Sequence, residues 1–166
     1  YAVLTLPLVL LTVLKTNKKA TSVGAQGQGG KVRQVLSGLP GYLILSCQTK
    51  DGMQETTIMS FIQSVHEENV FYMVADKHAS KVQNIKARPR VSFTTWFDSL
   101  EKGERLSSNQ VDAEILEGLS AKEVVKHEPN LLKLHENATN MAIIKLKIHS
   151  LVHESFRDGA EIIEFK

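Results

Sequence analysis

Five basic residues cluster between positions 77 and 90: Lys77, Lys81, Lys86, Arg88 and Arg90. Such a run can meet a phosphate through charge-assisted hydrogen bonds, and it is also the ordinary composition of a solvated helix face. The six histidines raise metal or haem chemistry. His149 and His153 are four apart, a spacing that converges on a metal only along a helix. The alternation around them reads as a strand, which sets them on one face about 13 Å apart. His127-Glu128 and His135-Glu136 lack the second histidine of an HExxH motif, so no metal site is expected. His66 and His78 are available as haem ligands, with no feature that singles out either. Neither G-x-S-x-G nor G-x-x-x-x-G-K-[ST] occurs, so a nucleophile elbow and a P-loop have no signature. Cys47 is the one cysteine, which excludes an intramolecular disulfide and any multi-cysteine metal site. It alternates with Leu43 and Leu45, the setting of a buried core thiol.

These groups sit in a chain of 166 residues, 42% hydrophobic and 23% charged, the balance of one globular domain. A chain of this size closes a core without a disulfide or metal staple. With 20 Lys+Arg against 18 Asp+Glu the net charge is +2, too near neutral to point to nucleic acid. The sequence opens on Tyr1 rather than Met, as expected of a fragment or a processed product. Residues 2–14 (AVLTLPLVLLTVL) carry no charge. As a helix, residues 1–14 reach about 21 Å against a hydrocarbon core of about 30 Å. Three lysines follow, then a Gly/Gln/Ser-rich stretch to residue 30. Lysines behind an apolar stretch fit an anchor with the domain on the cytoplasmic-type side, joined by a flexible tether. The alternative is a strand or helix packed on the domain's own core, in a cytoplasmic protein. The expected division is an anchor-like segment plus linker over 1–30 and a folded domain over 31–166.

From residue 31 the elements become regular. A short helix over 31–37 precedes a strand over 42–49, which turns at Asp51-Gly52 into a hairpin partner over 54–64. A buried strand follows over 70–75. The next helix, 78–87, presents Ala79, Val82 and Ile85 on one stripe, with Asp76 as N-cap and Pro89 as stop. A strand over 91–97, a charged loop over 98–109 and a strand over 111–116 come next. Ser120 and Glu123 have capping-box spacing and start a helix broken by Pro129. A long strand over 141–152, a turn over 157–160 and a strand over 161–165 close the domain. Hairpin-linked strands in this number predict an antiparallel barrel.

The stretch VFYMVADKHASKVQNIKARPRVSF, residues 70–93, resembles the signature of the pyridoxamine 5'-phosphate oxidase-like, FMN-binding split-barrel family. In that family a strand ends in Thr-Asp or Thr-Asn, a Ser-Arg-Lys run opens a short helix with Asn-Leu, and Asn-Pro-Arg-Val starts the next strand. Lys81, Val82, Asn84, Ile85, Pro89, Arg90 and Val91 stand at matching spacings. The hairpin YLILSCQTKDGMQETTIMSF and the closing strand MAIIKLKIHSLV are placed as in the family, so the resemblance covers residues 31–166.

The resemblance implies a mainly β domain with flanking helices, a six-stranded antiparallel split barrel. It also implies a homodimer with FMN at the subunit interface and flavin-mediated oxidation or reduction. Some members use deazaflavin or haem, and some have lost the cofactor. Carried onto this chain, Lys81 and Ser80, helped by Lys77, hold the FMN phosphate, and Ala75 stands where the family has a strand-ending threonine. Backbone at Thr57, Ile58 and Met59 flanks the isoalloxazine ring. Trp96 borders that ring or is a barrel-wall or interface residue. The family's Ser-Arg-Lys run is here Ala79-Ser80-Lys81, and neither Thr56 nor Thr57 supplies the basic residue of oxidase members. Two readings follow. One is a membrane-tethered FMN-dependent oxidoreductase with no catalytic residue assigned. The other is a cofactor-free accessory or scaffolding subunit of a larger membrane-associated complex.

Overall fold

A computed structural model describes residues 21–23, 30–97 and 102–166. The apolar segment expected to be an anchor therefore lies outside the described residues, as does most of the expected linker. Among the described residues no helix is long and apolar enough to cross a membrane. Three linker residues form a strand: β1 (Thr21–Val23) pairs in parallel with β9 (Gly159–Glu164), where a free tether is the sequence expectation.

Helix α1 (Lys31–Ser37) leads into the hairpin of β2 (Tyr42–Gln48) and β3 (Gln54–Ser60), with Gly52 at positive φ in the turn. The expected single strand over 54–64 is broken at Phe61. Its side chain turns inward, with its ring 5.1 Å from that of Phe71, and the chain resumes as β4 (Ile62–Gln63) on a new partner, β5 (Val70–Ala75). After β5 come α2 (Ser80–Ala87), β6 (Arg90–Thr95), β7 (Arg105–Leu116), α3 (Leu119–His127), α4 (Leu131–Leu134), a 3-10 turn over Ala138–Asn140, β8 (Ala142–Ser155) and β9. The sheet runs β1-β9-β8-β7-β6-β2-β3. One edge of the long β8 pairs with β7, and the other serves β5 along Ala142–Lys147 and then β9 along Ser150–Ser155. Among the described residues no ladder joins β3 to β5, which leaves the barrel split there. Seven strands have six residues or more, the number read from the sequence pattern and one above the six implied by the resemblance.

The extra length lies in β7, which takes in residues 105–110, expected as charged loop. Leu106 and Ser108 point inward there, and the polar composition of Ser107 to Gln110 hides the alternation. A pair of compensating bulges follows: Ser107 faces Val152, Gln110 faces Ser150 and Val111 faces Ile148, so each strand inserts one residue. That bulge overturns the expectation that His149 and His153 share a face. Inward positions switch from Ile144, Leu146 and Ile148 to Leu151, His153 and Ser155, leaving His149 exposed on Asp112 and His153 buried.

Two cores hold the domain. Leu43, Leu45, Cys47, Phe71, Met73, Val91, Phe93, Leu106, Leu146 and Ile148 fill the barrel. The opposite face of β5 and β8 packs Val70, Tyr72 and Ile143 under Ala121, Val125, Leu131 and Ala138 of the helical segment. Coverage on both faces explains why β5 is an unbroken apolar run. The expected capping box does not form. Gly118 at φ 60 starts α3, and Ser120 Oγ donates back to Glu117 O at 2.8 Å. At the other end, Glu128 is 2% exposed. Its carboxylate accepts from Ser64 Oγ and, at 3.1 Å, from Val65 N, which ties the end of α3 to the β4–β5 turn.

Candidate functional site at the first turn of α2

Strand alternation decides which β3 residues meet α2. Glu55 lies opposite Cys47 in the β2–β3 register and shares its face with Thr57 and Met59. Its half-buried carboxylate accepts from Ser80 Oγ at 2.6 Å and from Asn84 Nδ2 at 2.8 Å. Asn84 Oδ1 accepts in turn from Arg88 Nη2 at 3.1 Å, and Arg88 Nε donates to Gln48 O at 2.9 Å. One carboxylate thus takes donors from the first and second turns of α2, near the helix start, where the helix dipole favours negative charge. No side chain caps the helix at Ala79. Asp76, the expected N-cap, sits earlier and shapes the preceding turn, accepting from His78 N at 2.7 Å.

Cys47 registers the local field. Burial pushes its thiol pKa up and the neighbouring Glu55 charge adds to this, against opposing effects of Lys81 and Arg88. The thiol is core material, as its alternation with Leu43 and Leu45 implied.

The expected site residues divide into two groups on opposite faces of the sheet. Ser80 and Lys81 open α2, with Lys77 in the loop before it and the buried Ala75 ending β5. Thr57 faces the same side as Glu55, and Met59 is buried in the core. Ile58 points the other way and is 66% exposed. Trp96 belongs with Ile58 on the outer face, 41% exposed, its ring 6.3 Å from Tyr42 and stacked on Phe97 at 5.5 Å. Within one chain, therefore, Trp96 and the first turn of α2 do not line one site. Sequence reasoning missed Glu55, and it placed Arg88 in the basic run without assigning it to the site. The available signal for Glu55 was an acidic residue at an inward position of the hairpin, in register with Cys47.

The cofactor implied by the resemblance can be tested against these residues. FMN would bring a phosphate dianion to Ser80 and Lys81. Ser80 and Asn84 already donate to Glu55, whose negative charge adjoins the same turn. Like charges at this range repel, and the donor set of the native chain does not fit a phosphate. Among the described residues no group of three or more His, Cys, Asp or Glu side chains is placed to hold a metal ion.

No family model matches the chain, and no curated protein does. Solved structures do match. Campylobacter jejuni ChuZ is 15% identical, with a TM-score of 0.61 over 86% of this chain and 61% of that one. The chain thus spans about three-fifths of the length of ChuZ. A pyridoxamine 5'-phosphate oxidase-related, FMN-binding protein from Nostoc punctiforme is 12% identical, with a TM-score of 0.62 over 84% of this chain and 91% of that one. A heme-binding protein from Mycobacterium smegmatis is 14% identical, with a TM-score of 0.64 over 86% of this chain and 60% of that one. Likeness at such identities is likeness of fold, and sites vary freely on one fold. With its curled antiparallel sheet, its short helix after β5 and its split between β3 and β5, the chain has the split-barrel fold of the pyridoxamine 5'-phosphate oxidase-like proteins.

Proposed function

We propose that this domain works by association, as a split barrel that pairs with a second copy and holds no FMN at α2. The observation that carries the reading is the outer face of β3, β2 and β6. Alternation and register bring together Gln54, Thr56, Ile58 and Ser60 from β3 and Tyr42, Ile44, Ser46 and Gln48 from β2. Ser92 and Thr94 of β6 continue the face, with Arg90 and Trp96 at its ends. Among the described residues of this face Arg90 is the only formal charge, and it lies at the margin, paired with Asp112 at 2.9 Å. A face with few charges, with Ile44 and Ile58 at its centre and Tyr42 and Trp96 together at one end, has the composition of an interface core. β3 has one ladder partner among the described residues, carries no proline, and has as its one charge Glu55, on the inner face, so its outer face is uncharged. An accessory or scaffolding role in a larger assembly follows from this reading.

A second reading, an FMN-dependent oxidoreductase, draws support from Lys81 at the start of α2 and from the family resemblance. When bound, the flavin would supply hydride transfer. The two readings separate on one absorption experiment. The association reading expects a colourless purified protein whose melting temperature does not move on adding FMN. A flavin band with a rising melting temperature would overturn it in favour of the oxidoreductase, and a Soret band would overturn both.

A further inference from the structure

We infer that Glu55 is the residue that closes this barrel to phosphate: its carboxylate takes, from within the chain, the donors that a ligand's phosphate would need. The inference rests on the reading that the native domain holds no FMN at α2, and it assigns that property to one side chain. Ser80 Oγ and Asn84 Nδ2 converge on the two oxygens of the same carboxylate, at 2.6 and 2.8 Å. Arg88 reaches that carboxylate through Asn84, and the charges of Lys81 and Arg88 both act on the adjoining Cys47. A hydroxyl and a lysine in the first turn of α2, an amide one turn on, and the guanidinium of Arg88, which follows the last residue of the helix, are donors of the kinds an anion site uses. Here the anion is part of the fold.

An entering phosphate would have to take the Ser80 and Asn84 hydrogen bonds from Glu55 and then lie beside its charge. The exclusion is therefore electrostatic as well as steric, and neutralising the carboxylate should lift it even where its shape is kept. Glu55→Gln keeps the shape and one acceptor oxygen, and Glu55→Ala removes both. Wild type and both variants would be titrated with FMN and, separately, with riboflavin, followed by flavin fluorescence and melting temperature. Circular dichroism would confirm that each variant folds.

The expected result is no FMN binding by wild type and a gain in both variants of about tenfold or more in affinity, equivalent to about 1.4 kcal/mol or more. The gain should be for FMN and not riboflavin, and inorganic phosphate should compete it away. Should the alanine variant not fold, the glutamine variant decides. Variants that bind FMN no better than a non-binding wild type would overturn the inference and leave the association reading standing. An equal gain for riboflavin would also overturn it, because the change would not concern phosphate. A wild type that binds FMN would overturn the association reading itself, and with it any exclusion by Glu55.

Discussion

Replacing Ile58 with aspartate is expected to leave the proposed dimer monomeric, with its dissociation constant weakened by about a thousandfold or more. Ile58 is 66% exposed on the outer face of β3, between Thr56 and Ser60 and opposite Ile44. A closed two-fold pair presents the same patch twice, so one substitution buries two carboxylates. Neither would meet a formal cation at the centre of the face, where an unpaired buried charge costs several kcal/mol. The cost falls on association and not on folding, because the position is exposed in the isolated chain. Light scattering at about 10 µM checks the mass, a concentration well above the dissociation constant of an ordinary stable dimer. The single tryptophan supplies an independent readout. Trp96 shares this face, so its emission should move to the red when the pair separates. Leu119→Asp is the control: Leu119 is 78% exposed at the start of α3, away from this face, and its substitution should leave mass and emission unchanged.

The largest effect on stability is expected at Glu128, where alanine should cost about 2–4 kcal/mol in urea unfolding. The carboxylate is almost wholly buried, and its removal orphans the Ser64 hydroxyl and the Val65 N–H together. Ser64 is also the hub of the β4–β5 turn, its oxygen accepting from His66 N at 3.1 Å and from Glu67 N at 3.0 Å. The same Glu128 charge, with Glu67 and Glu114, adds to the burial that pushes the Tyr72 hydroxyl up to about 12. Glu128→Gln retains one acceptor and should lose about half as much. Ser64→Ala and Glu128→Ala break the same bond, so the double variant should be less destabilised than the sum of the singles. Strictly additive losses would show that the two side chains do not act as a unit.

How far the sequence revealed this molecule depended on whether the pattern in question was local. Strands β2, β5, β6 and β8 lie close to where alternation and apolar runs placed them, because each buries a face whose period is set by the pleat. The start of β7 was not legible, since Ser108 fills an inward position with a side chain that reads as loop. The bulge that separates His149 from His153 leaves no mark in composition, being a property of two strands in register. Phe61 broke an expected strand for a similar reason: its ring finds Phe71 across the barrel, a contact that no window of adjacent residues contains. The capping box failed because Gly118 supplied a different helix start.

The candidate site shows the same division. Ser80 and Lys81 were identified through the resemblance, and both do open α2. Glu55, which determines what those residues can hold, lies 25 positions away from Ser80 and meets it only through the β2–β3 hairpin. Its significance becomes visible once register sets it opposite Cys47 and facing α2. Trp96, which the resemblance set beside the flavin or on the barrel wall or interface, is turned by strand alternation to the outer face beside Tyr42.

Sedimentation equilibrium of the unmodified chain over about 1–50 µM tests most directly the claim that this barrel functions through its outer face, because a standard-sized interface of good complementarity holds at such concentrations. The expected mass is twice that of the 18.5 kDa chain across the upper part of this range. A monomer mass at every concentration would contradict it.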